Sequence, residues 1–266
     1  MATPAPRQPL RMYAPHGVPI SRPADSPAPV RELKTSEAMA LEIVRSIVSG
    51  GFGTGDKLPT ETDMLQQYGV SRESLREALR LLEVQGLITL KRGPGGGPLV
   101  GSVDPVYLAR TATLYFHMCG ATYDELVDTW LLTEPLLAAK AARNPDRFAV
   151  RSAMKPYFES GGTVRAPGFI AAATGFHAVI PTIAGNRVLS LLLEAVGCIM
   201  VEHILRDLDP HELSREIDED HDAIARAISA GQAPKAQRLM TAHIQRIADH
   251  YREHYPERLQ DVIEWR

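Results

Sequence analysis

Residues 58–100, LPTETDMLQQYGVSRESLREALRLLEVQGLITLKRGPGGGPLV, leave little freedom in how they fold. Thr60 is placed to cap a short helix, and Asp63 three residues on completes a capping-box-like start. Gly69 breaks that helix and Ser71 caps the next. Val70 and Leu75 fall at the spacing of a hydrophobic staple across the cap. Leu75, Ala78, Leu79 and Leu82 recur at i, i+3, i+4 and i+7, so one face of the second helix is buried. Arg72, Arg76 and Arg80 repeat every four residues on another face. After Gly86, Leu87-Ile88-Thr89-Leu90 and Pro98-Leu99-Val100 read as two strands around a cationic, glycine-rich tip, Lys91 to Gly97. Helix, turn, helix and hairpin at this spacing form a winged helix-turn-helix, a unit that sets its second helix in the major groove of duplex DNA. The arginine stripe alone also fits a solvated face, because Glu73 and Glu77 lie beside it. The capped helix before it and the cationic wing after it favour DNA.

The motifs GDKLPTE, YGVSRESLREAL, LEVQGLI and KRGPGGG resemble the winged helix of the GntR family of bacterial regulators. The resemblance spans about seventy residues, with the motifs in order at close spacing. It implies DNA contacts at Ser71, Arg72, Ser74, Arg76, Arg92 and Gly93. Many members carry an arginine where this chain has Thr62, a departure that removes one contact. Arg72 and Arg76 are the best candidates for guanine edges or nearby phosphates.

The 266-residue chain is long enough for two domains, and its net charge of −3 excludes a protein that coats nucleic acid indiscriminately. Residues 34–100 carry eight Lys/Arg against eight Asp/Glu. Affinity must then come from placed cations and from doubling of the site in a homodimer. Cys119 and Cys198 form no CxxC pair or disulfide framework, which suggests a reducing, cytoplasmic setting. No apolar run reads as transmembrane, so no membrane partner is expected.

Along the chain, residues 1–33 hold eight prolines and four arginines and read as a disordered tail. Ser36 is expected to cap a helix through Ile47, opening a DNA-binding domain over 34–102. From about Gly101–Pro105 the pattern changes to long helices. Pro105 to Gly120, Thr122 to Arg143 (kinked at Pro135), Arg147 to Ser160, Pro167 to Ala184, Asn186 to Asp207, Pro210 to Ala230 and Pro234 to Tyr255 form an antiparallel all-α bundle over 103–258. Residues 259–266 read as a C-terminal tail. The fold class is mostly α, a winged helix-turn-helix followed by a helical bundle.

Three histidines occupy inward stripes on three helices: His177 with Ile170, Ala173 and Ile180; His221 with Ile217, Ile224 and Ile228; His243 with Leu239, Met240 and Ile247. One inward histidine is more often a satisfied core residue than a ligand. Three imidazoles converging in a bundle repel one another when protonated, and a divalent metal relieves that by taking their lone pairs. The acidic run Glu216 to Asp222 reads as an exposed face rather than a metal cage.

The motifs TEPLLAAKAA, FHAVIPTIAGN and HDAIARAISAGQAPKAQRLMTAHI resemble the FCD ligand-binding domain of the FadR branch of the same family. That resemblance implies a divalent metal (Zn, Ni or Mn) on His177, His221 and His243, with an effector site near Trp130, Glu134 and Asn186. An aspartate one turn before the first histidine usually supplies a fourth ligand, and this chain has Ala173 there. Trp130 stands where many members place an arginine, which removes an anion clamp and adds apolar, stacking area. His203 and Glu134 are alternative donors. The reading is a homodimeric, DNA-binding transcription regulator, a repressor and not an enzyme, that releases double-stranded operator DNA in response to a small organic or apolar carboxylate. A metal-free pocket for a fatty acyl thioester is the rival within the class, and a metal-dependent hydrolase is the rival outside it.

Overall fold

The computed structural model describes residues 34–93, 95–159, 169–205 and 213–266. The expected tail over 1–33 and the glycine loop at 161–162 lie outside them. The chain divides into two compact units, with the division between Tyr107 and Leu108.

The N-terminal unit follows the local signals closely. Helix α1 (Thr35–Ser49) buries Met39, Ala40 and Ile43. Its cap differs from expectation: Lys34 precedes the first turn and donates its backbone N–H to Glu37 at 3.1 Å. Ser36 lies inside the helix and is buried, so the core claims the hydroxyl residue that the sequence offers as a cap. Helix α2 (Glu61–Tyr68) starts on the Thr60–Asp63 capping box and ends at Gly69, whose φ of +64° is the left-handed stop that glycine tolerates. Helix α3 (Arg72–Val84) starts where Ser71 Oγ accepts the Ser74 N–H at 3.1 Å. Leu75, Ala78, Leu79 and Leu82 are buried against α1. Strands β1 (Ile88–Lys91) and β2 (Gly97–Val100) pair antiparallel, Ile88 with Val100 and Lys91 with Gly97. The segment 56–58 adds to the hairpin: Leu58 N–H donates to Pro98 O, and Val100 N–H to Asp56 O. Gly101 is tied to this head, its N–H on Leu87 O at 2.8 Å. A Cβ there would meet Gly86 O at 2.1 Å, so close backbone approach, and not hinge freedom, is what requires glycine.

The C-terminal unit is a bundle with one continuous core. It comprises α4 (Pro105–Cys119), α5 (Tyr123–Ala142), α6 (Arg147–Met154), α7 (Pro156–Glu159), α8 (Phe169–Ile183), α9 (Arg187–Met200), α10 (Ser214–Ser229), α11 (Ala233–His254) and α12 (Pro256–Gln260). Helix α5 packs along α11 and continues unbroken through Pro135. The helix expected over 147–160 is two, α6 and α7, because Pro156 has no N–H to continue the ladder. Arg147 ties several ends together, donating to Ala142 O and Asn144 O behind α5 and to Ile228 O and Ser229 O at the end of α10. Helix α9 passes into a π-helical turn, Val201–Leu205.

Two sequence readings need correction. Arg187–Leu205 is a 19-residue helix, long and apolar enough by length and composition to cross a membrane. Glu194 and Glu202 interrupt the run in sequence, which hides it from a search for unbroken apolar stretches. Residues 259–266 are not a loose tail: Leu259 and Ile263 are buried in the bundle core. Ile263 N–H donates to Ala121 O, Tyr123 N–H to Asp261 O and Glu264 N–H to the Tyr123 hydroxyl. His117 Nδ1 donates to Ile263 O. Removing residues 261–266 exposes the surface under Ile263 and costs about 2–3 kcal/mol, the scale for one buried isoleucine. Urea unfolding of full-length and truncated protein checks this; equal midpoints would show that the segment does not stabilise the bundle.

Candidate functional site

The cationic face of the head is assembled by the caps. Ser71 and Ser74 sit at the entry of α3, with Ser71 Oγ donating to Ser74 Oγ at 2.9 Å. Arg72, Arg76 and Arg80 project from the exposed side of the helix whose opposite side is core. Arg92 and Gly93 are exposed at the wing tip, where Gly93 has φ +98°. Lys57 Nζ donates to Gly95 O and pins that tip. Arg76 is engaged: its Nε donates to Glu61 of α2 at 3.2 Å. Both partners are well exposed, so the pair contributes at most about 1 kcal/mol and a phosphate can compete for the guanidinium.

In the bundle, α8, α10 and α11 deliver His177, His221 and His243 to one point. His221 and His243 are buried and His177 is half-buried. His221 Nε2 lies 3.1 Å from His243 Nε2, which lies 3.3 Å from His177 Nε2. Burial, then the neighbouring histidines, holds His221 well below its ordinary 6.5. Burial pushes His243 down to about 4 against the opposing pull of Asp220. Burial thus favours the neutral form of His221 and His243, the form in which an imidazole nitrogen offers a lone pair. A cation with nitrogens at about 2.1 Å sets neighbouring donors about 3.0 Å apart at an octahedral angle and about 3.4 Å at a tetrahedral one. Both Nε2 separations fall within that interval, so the donor set fits a divalent metal of the borderline kind.

Trp130 and Glu134 of α5 reach this cluster. The Trp130 ring lies 5.4 Å from the His177 ring, and Glu134 Oε2 is 3.3 Å from His177 Nδ1. Asn186 is placed elsewhere: its Oδ1 accepts the Leu189 N–H as the α9 cap, and it lines a shallow depression with Thr182 and Glu194. His203 is also apart, its Nδ1 3.0 Å from the Tyr123 hydroxyl in the π-helical turn. Ala173, one turn before His177, offers no donor.

Sequence reasoning missed two residues here. Phe176 stacks on His221 with ring centroids 3.9 Å apart. Asp220, assigned to an exposed acidic face, is 3.1 Å from His243 Nδ1. Its place beside His221 at the border of the inward stripe was the available signal.

A winged helix-turn-helix joined to a helical bundle with a converging histidine cluster defines a DNA-binding transcription regulator with a sensing domain. The family models agree: "Bacterial regulatory proteins, gntR family" matches residues 35–96 and "FCD domain" matches 125–246. The chain belongs to the GntR family, in its FCD-containing branch. It is similar to the HTH-type transcriptional regulator LutR of Bacillus subtilis, 25% identical over 80% of this chain and 100% of that one. It also resembles the Uxu operon regulator of Haemophilus influenzae, 29% identical over 76% of each chain. The HTH-type transcriptional repressor NanR of Klebsiella aerogenes is 26% identical over 84% of this chain and 88% of that one. These relatives are regulators, not enzymes. The fold is shared with a Streptococcus agalactiae GntR structure, TM-score 0.58 at 21% identity, over 80% of this chain and 99% of that one.

The two depressed histidines fix a pH dependence for the metal-free protein. In the unfolded chain they titrate near 6.5, while His243 in the fold waits until about 4. Between those values the unfolded chain binds protons that the fold refuses, so stability falls as the pH drops from about 6.5 toward 4. Denaturant unfolding in chelator across that range measures the slope; a midpoint independent of pH would contradict neutral burial.

Proposed function

We propose that this protein is a homodimeric repressor, working in the cytoplasm, whose hold on operator DNA is set by a small effector beside a metal on His177, His221 and His243. The observation that carries the reading is the convergence of three imidazole Nε2 atoms inside the bundle of a chain whose other domain is a DNA-binding head. The metal would be Zn, Ni or Mn; when bound, it offers open coordination positions to an effector's oxygen donors. Trp130 supplies an apolar wall and Glu134 a polar group beside His177. The effector is a small organic carboxylate, recognised through the metal and not through an arginine clamp, since Trp130 occupies the clamp position. The head, over 34–102, would contact DNA through Ser71, Arg72, Ser74, Arg76, Arg92 and Gly93, and the bundle over 103–258 would sense. Repression is favoured by the similarity to NanR, a transcriptional repressor.

The test uses duplexes selected from a random pool by the full-length protein. Purified protein should carry one divalent metal per chain, and a carboxylate from a screened panel should weaken duplex binding in its presence but not after chelation. Arg72→Ala should lower affinity about ten-fold or more, on the scale of about 1–3 kcal/mol for a base contact. A folded Arg72→Ala variant that binds as wild type would overturn the assignment of the DNA face. Effector response undiminished after complete metal removal would overturn the metal's role.

Support for the homodimer comes from apolar side chains left open to water on two helices that pack together. Leu132 and Leu136 of α5 are 72% and 53% exposed, and Val188 and Leu192 of α9 are 71% and 51% exposed. Along Arg187–Leu205 only Ala195, Ile199, Met200, His203 and Ile204 are buried. A second copy covering this face removes that surface from water. Leu136→Arg with Leu192→Arg should shift sedimentation from dimer to monomer and weaken duplex binding; dimers that persist would place the interface elsewhere.

A further inference from the structure

We infer that Glu134 and Asp220 are positioning residues for the histidine cluster: each carboxylate takes the Nδ1–H of one imidazole and so turns that ring's Nε2 lone pair toward the shared point. The inference rests on the metal reading above and assigns to this chain the groups that prepare its donors.

At two histidines from different helices a carboxylate stands beside Nδ1, hydrogen-bonded at His243 and in contact range without a formed hydrogen bond at His177. His243 Nδ1 is 3.1 Å from Asp220 Oδ2, and His177 Nδ1 is 3.3 Å from Glu134 Oε2. In both cases the opposite ring nitrogen, Nε2, is the one that faces the cluster. His177 Nδ1 and Glu134 Oε2 are fully buried, 3.3 Å apart, and neither has a hydrogen-bond partner among the described residues. Each is the group that can satisfy the other. Asp220 is also held from outside, with Arg246 3.4 Å from the same oxygen.

A neutral imidazole has one proton to place. A carboxylate at Nδ1 draws it there, because the alternative tautomer sets two lone-pair-bearing atoms against each other. The Nε2 atoms are then stripped of protons where a cation needs their lone pairs. Without the carboxylates, an Nε2–H on either ring would point into the space between nitrogens only 3.1 and 3.3 Å apart and block it. The two carboxylates also match the charge of a divalent cation, one atom layer beyond its ligands. That supplies negative charge to a site where Ala173 offers none. A set of three neutral nitrogens selects zinc, nickel or cobalt over magnesium or calcium, which require oxygen.

The test uses the full-length chain and the near-isosteric variants Glu134→Gln and Asp220→Asn, with Asp220→Glu as the conservative rescue. After chelator stripping, zinc and cobalt are titrated against a competing chromophoric chelator. Each amide variant should still bind one metal per chain but about 10–100-fold more weakly, with a changed cobalt visible spectrum, while Asp220→Glu recovers most of the affinity. Unchanged unfolding midpoints of the metal-free variants exclude a loss of fold as the cause. Variants that match wild type in both affinity and spectrum would overturn the inference. Long-range 1H–15N spectra of the metal-free protein give an independent readout. Nδ1–H tautomers at His177 and His243 that are lost in the variants support the inference; Nε2–H tautomers in wild type overturn it. If wild type takes up neither zinc nor cobalt, the metal reading fails, and the tautomer spectra alone decide whether the carboxylates orient the rings.

Discussion

Three imidazole nitrogens pressed within little more than van der Waals distance inside an apolar bundle are an unstable arrangement unless their protons are controlled. Two charged rings there would repel in a medium that screens poorly. Burial solves half of the problem by keeping His221 and His243 neutral. The carboxylates of Glu134 and Asp220, each beside an Nδ1, bear on the other half, the choice of tautomer. Much of the bundle serves this point. Helices α8, α10 and α11 bring the histidines, α5 brings Trp130 and Glu134, and Phe176 stacks on His221.

The head is built on a different logic, in which local chemistry does almost everything. A capping box, a left-handed glycine and a serine cap fix where α2 ends and α3 begins. Four buried aliphatic positions fix which way α3 faces, and the arginines take what remains. Because the cations are placed by an apolar stripe, they need no partners to hold them, and among the described residues only Arg76 of the three is drawn into an ion pair, with Glu61 of α2. A near-neutral head can therefore present a cationic face without being a basic protein.

Where local signals compete with the core, the sequence misleads. Ser36 looks like a cap but is buried, because α1 needs that face against the rest of the head. Residues 259–266 look like a polar ending, yet two apolar side chains, Leu259 and Ile263, suffice to dock them in the core beside Tyr123. Asp220 looks solvated because its neighbours in sequence are acidic, while its partner His243 lies 23 residues away on another helix. Asn186 sits in a motif near His177 in sequence, but helix α9 needs an N-cap, and Asn186 is used for that.

By itself the sequence determined the order of elements in the winged head, the helical character of the bundle and the three inward-facing histidines, because capping residues and helical periodicity act over a few residues and leave their mark in spacing. The tertiary structure alone decided which atoms meet: that the Nε2 atoms converge, that Glu134 and not Asn186 joins them, and that Asp220 stands behind His243. Those contacts join residues far apart in the chain, and nothing in the local pattern records the packing angle of one helix on another or the rotamer that a buried ring adopts.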